Sequence, residues 1–449
     1  MTDPLHIPFH SALFTDLYEL TMARAYLHEK MGATAVFQLF FRDLPEKRNY
    51  VVAYGVEDAV RAVETFRFTE DDLEYLSSLD EFDRPFLDAL RELRFTGTVR
   101  AVRDGSVVFP YEPLIEVSAP IVEAQVLETA LLNRVHVGCV LASKAARVAS
   151  AAGDRPVVDF GSRRAHGVDA ALVAARAGYV AGLTGTSSLL AGRLYGIPVF
   201  GTMAHSYVQA HGSEPDAMRR FSELFPGTTL LVDTYDTPRG TREVVRLARV
   251  MGRDFTVRAI RIDSGDLAAL AKEARTILDE GGLEGVTIFV SGGLDEYAIR
   301  DLIDRDAPVD GFGVGTKMVV SEDAPDLDLA YKLVEYDGRP RTKTSPGKPI
   351  FPGRKQVWRR ERNGVFVGDR IVLEGVVEDG EPLLRPVMRD GRRVDGACEG
   401  IEAARAHCRN ELARLPSELK SLETAASPYP VEISETIRET RSELEDRLA

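Results

Sequence analysis

The chain has 449 residues, of which 44% are hydrophobic, and this length and composition predict a globular protein of about two to three domains with a large core. The formal net charge of -14 argues against general binding to nucleic acid or to a membrane surface, so an anionic ligand would need a local pocket of Arg, Lys and backbone N–H groups. Three cysteines are too few for a disulfide framework, and neither a signal peptide nor an apolar run of membrane-spanning length is present, so we expect a cytoplasmic enzyme.

The first part of the chain mixes helical and strand patterns, which predicts an N-terminal α+β domain with linking helices over residues 1–153. The Asp104-Gly105 pair lies between two apolar stretches and predicts a tight turn there. The predicted elements are a helix at residues 14–30, strands within 33–45 and 95–120, and a long helix from Pro120 to Gly153.

From residue 156 onward, short apolar strands alternate with helical segments, which indicates parallel βα repeats. The seven units are "PVVDFGSRR", "GYVAGLTGTSS", "IPVFGTMAH", "TTLLVDTYDT", "RAIRIDSGD", "VTIFVSGG" and "DGFGVGTK". Such repeats form either a closed barrel or an open doubly wound sheet. An open sheet concentrates its ligand at one point, whereas all seven strand ends here carry polar chemistry. We therefore predict an irregular TIM-like (β/α) barrel over residues 154–320.

The strand-helix alternation stops after Lys317. The basic, turn-rich and β-compatible segment that follows is predicted to rejoin the N-terminal domain in an α+β sandwich, so that residues 321–449 form a C-terminal segment with a helical tail. The tail contains helical patterns at 400–415 and 434–448, neither of them regular enough in heptads to predict a coiled coil.

Glycines lie where two late strands meet their helices, in "VSGG" at 290–293 and "GFGVGTK" at 311–317. Glycine allows the backbone to approach an anion closely, and barrels often bind phosphate after their last two strands. The alternative is that these glycines only make tight turns. Their position in the series favours a phosphate site.

Acidic residues at other strand ends suggest magnesium. Asp233 and Asp236, and also Asp263 and Asp266, could hold Mg²⁺ through carboxylates and water, although Asp266 could equally cap the helix that follows it. Arg261 lies on the strand itself, where a cation requires an anionic partner such as a substrate carboxylate or phosphate.

Two histidines, His205 and His211, follow the third predicted strand. Six residues apart on a helix, they would not share a face, so a two-histidine metal site is not expected. His205, at the strand end, is either structural or active as a general acid/base or a phosphoryl acceptor. His211 is predicted to be structural.

The ordered motifs "FTDLYELTMARAY", "DFGSRRAHG", "GTMAHSY", "VDTYDT", "RIDSGDL", "SGGLDE", "GFGVGTK" and "YKLVE…GKPIFPGRKQVWR" resemble the nicotinate phosphoribosyltransferase family. The resemblance runs from about residue 14 to about residue 360 and continues more weakly in "YPVEIS". It implies that the chain joins nicotinate to phosphoribosyl pyrophosphate in NAD salvage, with Mg²⁺ and with hydrolysis of ATP through a phosphorylated histidine.

The resemblance also assigns roles to residues of this sequence. His205 matches the phosphorylated histidine and Asp263 a catalytic position in the phosphoribosyl site. The implied nicotinate contacts are Tyr18, Phe160, Thr202 and Arg261, and the implied phosphoribosyl contacts are Arg163, Gly292, Gly293, Gly313 and Thr316. Related nicotinamide enzymes carry an acid where Ser187 and Ser188 stand here, which favours the acid substrate. Family members are usually homodimers in which Tyr18 would come from the neighbouring subunit. Some carry a zinc module, but the tail here has two cysteines and we expect no zinc.

Three other functions remain open on the sequence alone. A quinolinate phosphoribosyltransferase shares the architecture but is typically shorter and needs no ATP. A phosphate-binding barrel aldolase would need a Schiff-base lysine, for which Lys317 is the strand-end candidate. A sensor that binds nucleotides without turnover would keep the same pocket.

Overall fold

The computed structural model describes residues 11–345 and 347–448. The chain divides into two compact units: the first comprises the residues up to 143 together with those from 326 onward, and the second comprises residues 144–325. The predicted domain boundaries were 153/154 and 320/321. Among the described residues, no helix is both long and apolar enough to cross a membrane.

The N-terminal part of the first unit contains the predicted helix and strands, and its long helical stretch is broken into two helices after Gln125. The elements are α1 (Leu17–His28), β1 (Thr34–Phe41), β2 (Val51–Val52), α2 (Val56–Thr65), α3 (Glu70–Ser77), α4 (Arg84–Glu92), β3 (Thr98–Ala101), β4 (Val107–Val108), β5 (Ile115–Pro120), α5 (Ile121–Gln125) and α6 (Glu128–Ala152). Helix α6 continues into the second unit.

The second unit alternates strands and helices. Its elements are β6 (Val157–Asp159), α7 (Val168–Val180), β7 (Gly185–Thr186), α8 (Leu189–Tyr195), α9 (His205–Gln209), α10 (Glu214–Leu224), β8 (Thr229–Leu231), α11 (Thr237–Met251), β9 (Ala259–Ile262), α12 (Leu267–Glu280), β10 (Thr287–Ser291), α13 (Glu296–Asp304), β11 (Gly311–Val314) and α14 (Thr316–Val319).

The C-terminal part of the first unit is mainly strand, followed by the two tail helices that the sequence predicts. Its elements are β12 (Leu329–Tyr336), β13 (Arg339–Pro340), β14 (Lys355–Arg362), β15 (Val365–Leu373), β16 (Glu381–Pro382), β17 (Arg385–Arg389), β18 (Arg392–Arg393), α15 (Ile401–Arg414), β19 (Val431–Ile433) and α16 (Glu435–Leu448).

The C-terminal segment rejoins the N-terminal strands, as predicted. A seven-stranded sheet has the order β13-β12-β1-β5-β3-β17-β18, in which β1 pairs antiparallel with both β12 and β5. The ring of Phe37 on β1 stacks on that of Tyr331 on β12, with centroids 4.8 Å apart, inside the main core of this unit. A second sheet has the order β16-β14-β15-β19.

The six strands of the second unit are all parallel and have the order β7-β6-β11-β10-β9-β8. The first strand of the series, β6, pairs with the last, β11, which is how a barrel closes on itself. The third predicted strand is reduced to a bridge between Val199 and Thr186, partly because Pro198 has no N–H to donate. The two edges of this parallel sheet are therefore the bridge at Val199 and strand β8. The irregular TIM-like barrel is confirmed.

The Asp104-Gly105 pair makes the predicted turn, but the strands on its two sides lie in different sheets. Strand β3 pairs with β5 and β17, whereas β4 pairs with β2. The Asp104 carboxylate accepts hydrogen bonds from the Val56 N–H at 2.9 Å and the Glu57 N–H at 3.1 Å. Gly55, which precedes helix α2, has no side chain to cap it, so Asp104 satisfies these first N–H groups instead.

Replacing Asp104 with Ala should lower the free energy of unfolding of the first unit by about 1–2 kcal/mol, because two N–H groups of helix α2 lose their acceptor. Urea unfolding followed by circular dichroism measures this change. Asp395→Ala is the matched control, since Asp395 is exposed and precedes Gly396 in another Asp-Gly turn. Equal midpoints for the two variants would show that the cap contributes nothing.

Candidate active site

The carboxyl ends of strands β6, β9, β10 and β11, and the loops after β8 and before α9, carry nearly all the predicted site residues. Parallel strands present their carboxyl ends at one face of a barrel, where the active sites of such folds are built. The site residues of the second unit are Phe160, Arg163, Thr202, His205, Asp233, Asp236, Arg261, Asp263, Gly292, Gly293, Gly313 and Thr316. Tyr18 alone lies in the first unit, on helix α1.

Arg261 lies near the end of β9, and its side chain is only 14% exposed. Its Nε donates to the Ser291 hydroxyl at 2.7 Å and its Nη1 to the Thr202 hydroxyl at 3.0 Å. Its Nη2 bonds to Oδ1 of Asp263 at 2.5 Å. The guanidinium carbon lies 5.4 Å from the centroid of the Phe160 ring. Nη1 and Nη2 each carry a further hydrogen, so the group can still bind a ligand carboxylate.

Asp263 connects this arginine to a second carboxylate. Its Oδ1 also accepts a short hydrogen bond from the Ser291 hydroxyl. Its backbone N–H and the hydroxyl of Ser264 both donate to Oδ2 of Asp233, at 2.9 and 2.7 Å. The other oxygen of Asp233, Oδ1, is buried and has no hydrogen-bond partner in the described structure. A buried carboxylate oxygen of this kind is fitted to receive a cation or a water molecule.

His205 begins helix α9 and does not end a strand as predicted, because the third strand stops at the Val199 bridge. Its Nδ1 lies 3.1 Å from the hydroxyl of Thr234, in the loop after β8. This contact engages one ring nitrogen, and in the tautomer in which Nδ1 donates to the hydroxyl, Nε2 carries the lone pair. His211 instead donates from Nδ1 to the Tyr207 carbonyl at 2.7 Å, a local helical contact.

The turn after β6 holds Phe160. Asp159 is buried, and its carboxylate accepts from the Gly161 N–H at 2.7 Å and from the Thr186 hydroxyl at 2.9 Å. Burial raises the pKa of Asp159, although both hydrogen bonds oppose the change. The Phe160 ring lies over Gly313, where an added Cβ would come within 2.7 Å of it. Asp159 and Gly313 together therefore determine where the ring lies.

Two loops connect late strands to helices at this end of the barrel. The first glycine loop, residues 291–294, has Gly292 at φ 92° and Gly293 at φ 66°. A Cβ at Gly292 would collide with the carbonyl oxygen of Asp263, whereas one at Gly293 would meet open space. The second glycine loop, residues 313–316, ends at exposed Thr316. The open space beside Gly293 and the exposure of Thr316 at the start of helix α14 suit a phosphate.

Other predicted residues have local structural partners. Asp236 caps helix α11 through the Arg239 N–H at 2.8 Å, and Asp266 caps α12 through the Ala269 N–H at 3.2 Å. Asp266 also forms a surface ion pair with Arg305. Of the two roles considered for Asp266, magnesium ligand or helix cap, the structure therefore favours the cap. Arg163 is exposed on a short 3₁₀ helix.

Tyr18 is 46% exposed on helix α1, beside two other exposed apolar residues, Phe14 and Leu17. Partial burial of the phenol, followed by the nearby carboxylates of Glu128 and Glu19, raises the pKa of Tyr18. The phenol is therefore neutral at physiological pH. An exposed aromatic ring with two apolar neighbours is a suitable surface for a partner.

Within residues 11–345 and 347–448, no group of three or more His, Cys, Asp and Glu side chains is arranged to hold a metal ion. Magnesium in phosphate-transferring enzymes is held by one or two carboxylates and by the substrate's own phosphates. The unpartnered Oδ1 of Asp233 fits that requirement. Asp236 fits it less well, since its Oδ1 is engaged by the helix cap.

Three site residues were not identified from the sequence. Ser291 and Thr234 bond to Arg261 and His205, and Asp159 shapes the turn that carries Phe160. Each lies at a strand end, within "VSGG", "VDTYDT" or "VVDFG", so the strand-end rule that selected their neighbours could have found them. Their side-chain partners are distant in sequence. Thr234 is 29 residues from His205, Ser291 is 30 residues from Arg261, and Asp159 is 27 residues from Thr186.

A parallel barrel that brings together, at the carboxyl ends of its strands and in the adjoining loops, a largely buried arginine, two linked carboxylates, a histidine and two glycine loops has the construction of an enzyme active site. Family models of nicotinate phosphoribosyltransferase match the chain in three parts: the N-terminal domain at residues 13–136, the main family model at 156–351 and the C-terminal domain at 375–441. The chain belongs to the nicotinate phosphoribosyltransferase family, and it is therefore a transferase enzyme.

Individual relatives agree with this assignment. The chain is 55% identical to the nicotinate phosphoribosyltransferase pncB2 of Mycobacterium tuberculosis, over 95% of this chain and 92% of that protein. It is 42% identical to the nicotinate phosphoribosyltransferase of Bacillus subtilis, over 81% and 76% of the two chains. The crystal structure of human nicotinic acid phosphoribosyltransferase superposes with a TM-score of 0.85 at 29% identity, and the match covers 96% of this chain and 99% of the human one.

Replacing Gly292 with Ala should destabilise the second unit by about 1–3 kcal/mol for the collision with Asp263, in addition to about 1–2 kcal/mol for the left-handed backbone. Gly293→Ala, the matched control, carries only the backbone cost because its Cβ meets open space. Urea unfolding of both variants measures the difference. Equal losses would mean that the backbone of Asp263 moves freely out of the way.

Proposed function

We propose that this enzyme joins nicotinate to the ribose of phosphoribosyl pyrophosphate, forming nicotinate mononucleotide and pyrophosphate in NAD salvage. We further propose that ATP hydrolysis through a phosphorylated His205 drives the reaction. The observation that carries the proposal is Arg261, a nearly buried cation at a strand end that retains N–H groups for a ligand and lies beside an aromatic ring. A planar ring with a carboxylate substituent matches this arrangement.

The guanidinium of Arg261 binds the nicotinate carboxylate through parallel N–H···O bonds, which fix the orientation of the ring as well as holding the charge. Phe160 lies alongside and stacks on the pyridine. The Thr202 hydroxyl, already bonded to Arg261, completes the contact. The amide of nicotinamide carries no charge, so it gains less from this cation. Ser188, which caps helix α8, supplies no negative charge that would favour the amide.

The phosphoribosyl group binds beside the two glycine loops, and we assign Arg163, in the turn after β6, as a cation that contacts it. Departure of pyrophosphate leaves positive charge on the ribose, and the carboxylate of Asp263 stabilises that charge from the barrel mouth. Magnesium, when bound, would neutralise the leaving pyrophosphate, and Oδ1 of Asp233 would be its protein ligand. Asp263 is linked to Asp233 through its own N–H, so the two carboxylates keep a fixed separation.

His205 accepts the γ-phosphoryl group of ATP on Nε2. The bond between the β–γ bridging oxygen and the γ-phosphorus breaks, ADP leaves, and later attack of water on the phosphohistidine releases phosphate. The contact between Nδ1 and Thr234 orients the ring for this attack. Coupling to ATP would make formation of the mononucleotide more favourable than the uncoupled exchange.

We also propose that two chains form a homodimer with shared active sites, to which the partner subunit's Tyr18 contributes a second ring surface for nicotinate. The exposure of Tyr18 and Leu17 on helix α1, and of Phe14 just before it, supports this arrangement. Sedimentation of the intact protein tests the dimer.

The deciding experiment quantifies nicotinate mononucleotide and ADP made from nicotinate, phosphoribosyl pyrophosphate and Mg²⁺, with and without ATP. We expect mononucleotide to rise with ATP, and we expect ADP formation to vanish in His205→Ala. His211→Ala, a histidine with only a local contact, is the control and should retain ADP formation. ADP formation by His205→Ala would contradict the phosphohistidine. A lack of mononucleotide under all conditions would contradict the nicotinate assignment, and quinolinate would then be the next substrate to test.

Replacing Arg261 with Lys should raise the KM for nicotinate by about 10- to 100-fold, since a lysine cannot make the paired bonds to the carboxylate. The KM for nicotinamide, measured on the same preparation, is the internal control and should change little. Parallel increases for both substrates would show that Arg261 acts on the general structure of the site and not on the carboxylate.

A further inference from the structure

Behind the two glycine loops lies a group of charged side chains that the proposed mechanism does not use. Lys144, on helix α6, is 1% exposed and its side chain contacts two carboxylates. Its Nζ lies 2.5 Å from Glu296 Oε2 and 2.7 Å from Asp323 Oδ1. Arg147, one turn further along the same helix, bonds to the other oxygen of Glu296 at 3.0 Å.

The two carboxylates that Lys144 contacts follow different glycine loops in the chain. Glu296 is the first residue of helix α13 and comes shortly after the first glycine loop. Asp323 comes after the second glycine loop and the short helix α14. The ammonium of Lys144 therefore contacts the segments that follow both loops, through a hydrogen bond to Asp323 and an ion pair with Glu296. A second contact joins them directly, since Lys317 Nζ donates to Asp295 Oδ2 at 2.8 Å.

The Asp295 carboxylate is also part of the loop structure. It caps helix α13 through the Ala298 N–H at 2.8 Å while it binds Lys317. Burial opposes the ionised form, but the bonds from Lys317 and Ala298 outweigh burial and hold the pKa of Asp295 below its usual value. The pair therefore stays charged at neutral pH.

Buried ion pairs are not an efficient source of stability, because removing two charges from water costs about as much as their attraction returns. The hydrogen bonds from Lys144 to Asp323 and from Arg147 to Glu296 are, however, directional. A substrate whose ribose phosphate and pyrophosphate must meet two separate loops requires a fixed separation between those loops, and a misplacement of about 1 Å can cost on the order of 100-fold in rate. The geometry of these contacts is therefore better suited to fixing the distance between the two loops than to stabilising the fold.

We propose that Lys144 is a positioning residue for phosphoribosyl pyrophosphate: by bonding to Glu296 and Asp323 at once, it fixes the spacing of the two glycine loops. Lys144 does not touch the substrate. The inference rests on the proposed function insofar as phosphoribosyl pyrophosphate is the ligand of these loops. We expect a larger effect on that ligand than on nicotinate, because the nicotinate carboxylate is bound by Arg261 on β9, and the two loops reach the nicotinate site through Ser291 and Gly313.

The test replaces Lys144 with Met, which keeps the unbranched side chain and removes the charge. We expect the Kd for phosphoribosyl pyrophosphate with Mg²⁺, measured by calorimetry on the full chain, and its KM to rise by about 10- to 100-fold. The KM for nicotinate should stay within about 3-fold of wild type, below the range that loss of a contact to a charged group produces. Lys144→Arg keeps the charge and should recover part of the affinity.

Leu278→Ala is the control for lost stability, because it removes a fully buried side chain from helix α12 and leaves the charged contacts in place. If Lys144→Met does not fold, Asp323→Asn, at a partly exposed position, replaces it in the same assay. The double variant Lys144→Met with Asp323→Asn should lose less affinity than the sum of the two single losses, because both substitutions remove the same contact between Lys144 and Asp323.

Unchanged affinity for phosphoribosyl pyrophosphate in folded Lys144→Met, or an equal loss in Leu278→Ala, would overturn the inference. The proposed function fails separately. Wild-type protein that binds phosphoribosyl pyrophosphate but makes no mononucleotide would contradict the reaction while leaving the effect of Lys144 on binding measurable.

Discussion

A positive charge placed among the apolar strands of a barrel is costly unless anions and hydrogen-bond acceptors surround it. Arg261 meets this constraint at the end of β9, and much of the site follows from it. Asp263, two residues further along the chain, supplies the negative charge, and Ser291 and Thr202 supply hydroxyl oxygens. The same residues hold the arginine in one orientation. Under the proposed function, a substrate carboxylate would meet a cation that is already positioned.

The carboxylates around this arginine are arranged as a connected series. Asp233 accepts from the backbone of Asp263 and the hydroxyl of Ser264, and Asp263 accepts from Arg261 and Ser291. The chain has a net charge of -14, so anionic substrates must be attracted by local groups. In the function that we propose, Arg261 and the backbone N–H groups of the glycine loops provide these.

Much of the architecture could be predicted from local patterns. The alternation of strands and helices indicated the barrel, and the β-compatible segment after Lys317 indicated the return to the first unit. The third strand was the main difference, because Pro198 leaves only the bridge at Val199 and His205 then begins a helix. The turn at Asp104 was predicted, but its role as the cap of helix α2 was not, since 48 residues separate Asp104 from Val56.

The sequence by itself determined which residue types stand at the strand ends, because strand period, glycine and charge are properties of neighbouring residues. It thereby selected Arg261, Asp263, His205 and the glycine loops. Only the tertiary structure decided which of these side chains meet, and which acids are helix caps, as with Asp266. It also revealed Lys144, which looks in the sequence like any lysine of a long helix. The physical reason is that hydrogen bonds and ion pairs act over a few ångströms in space, between residues that the chain places far apart.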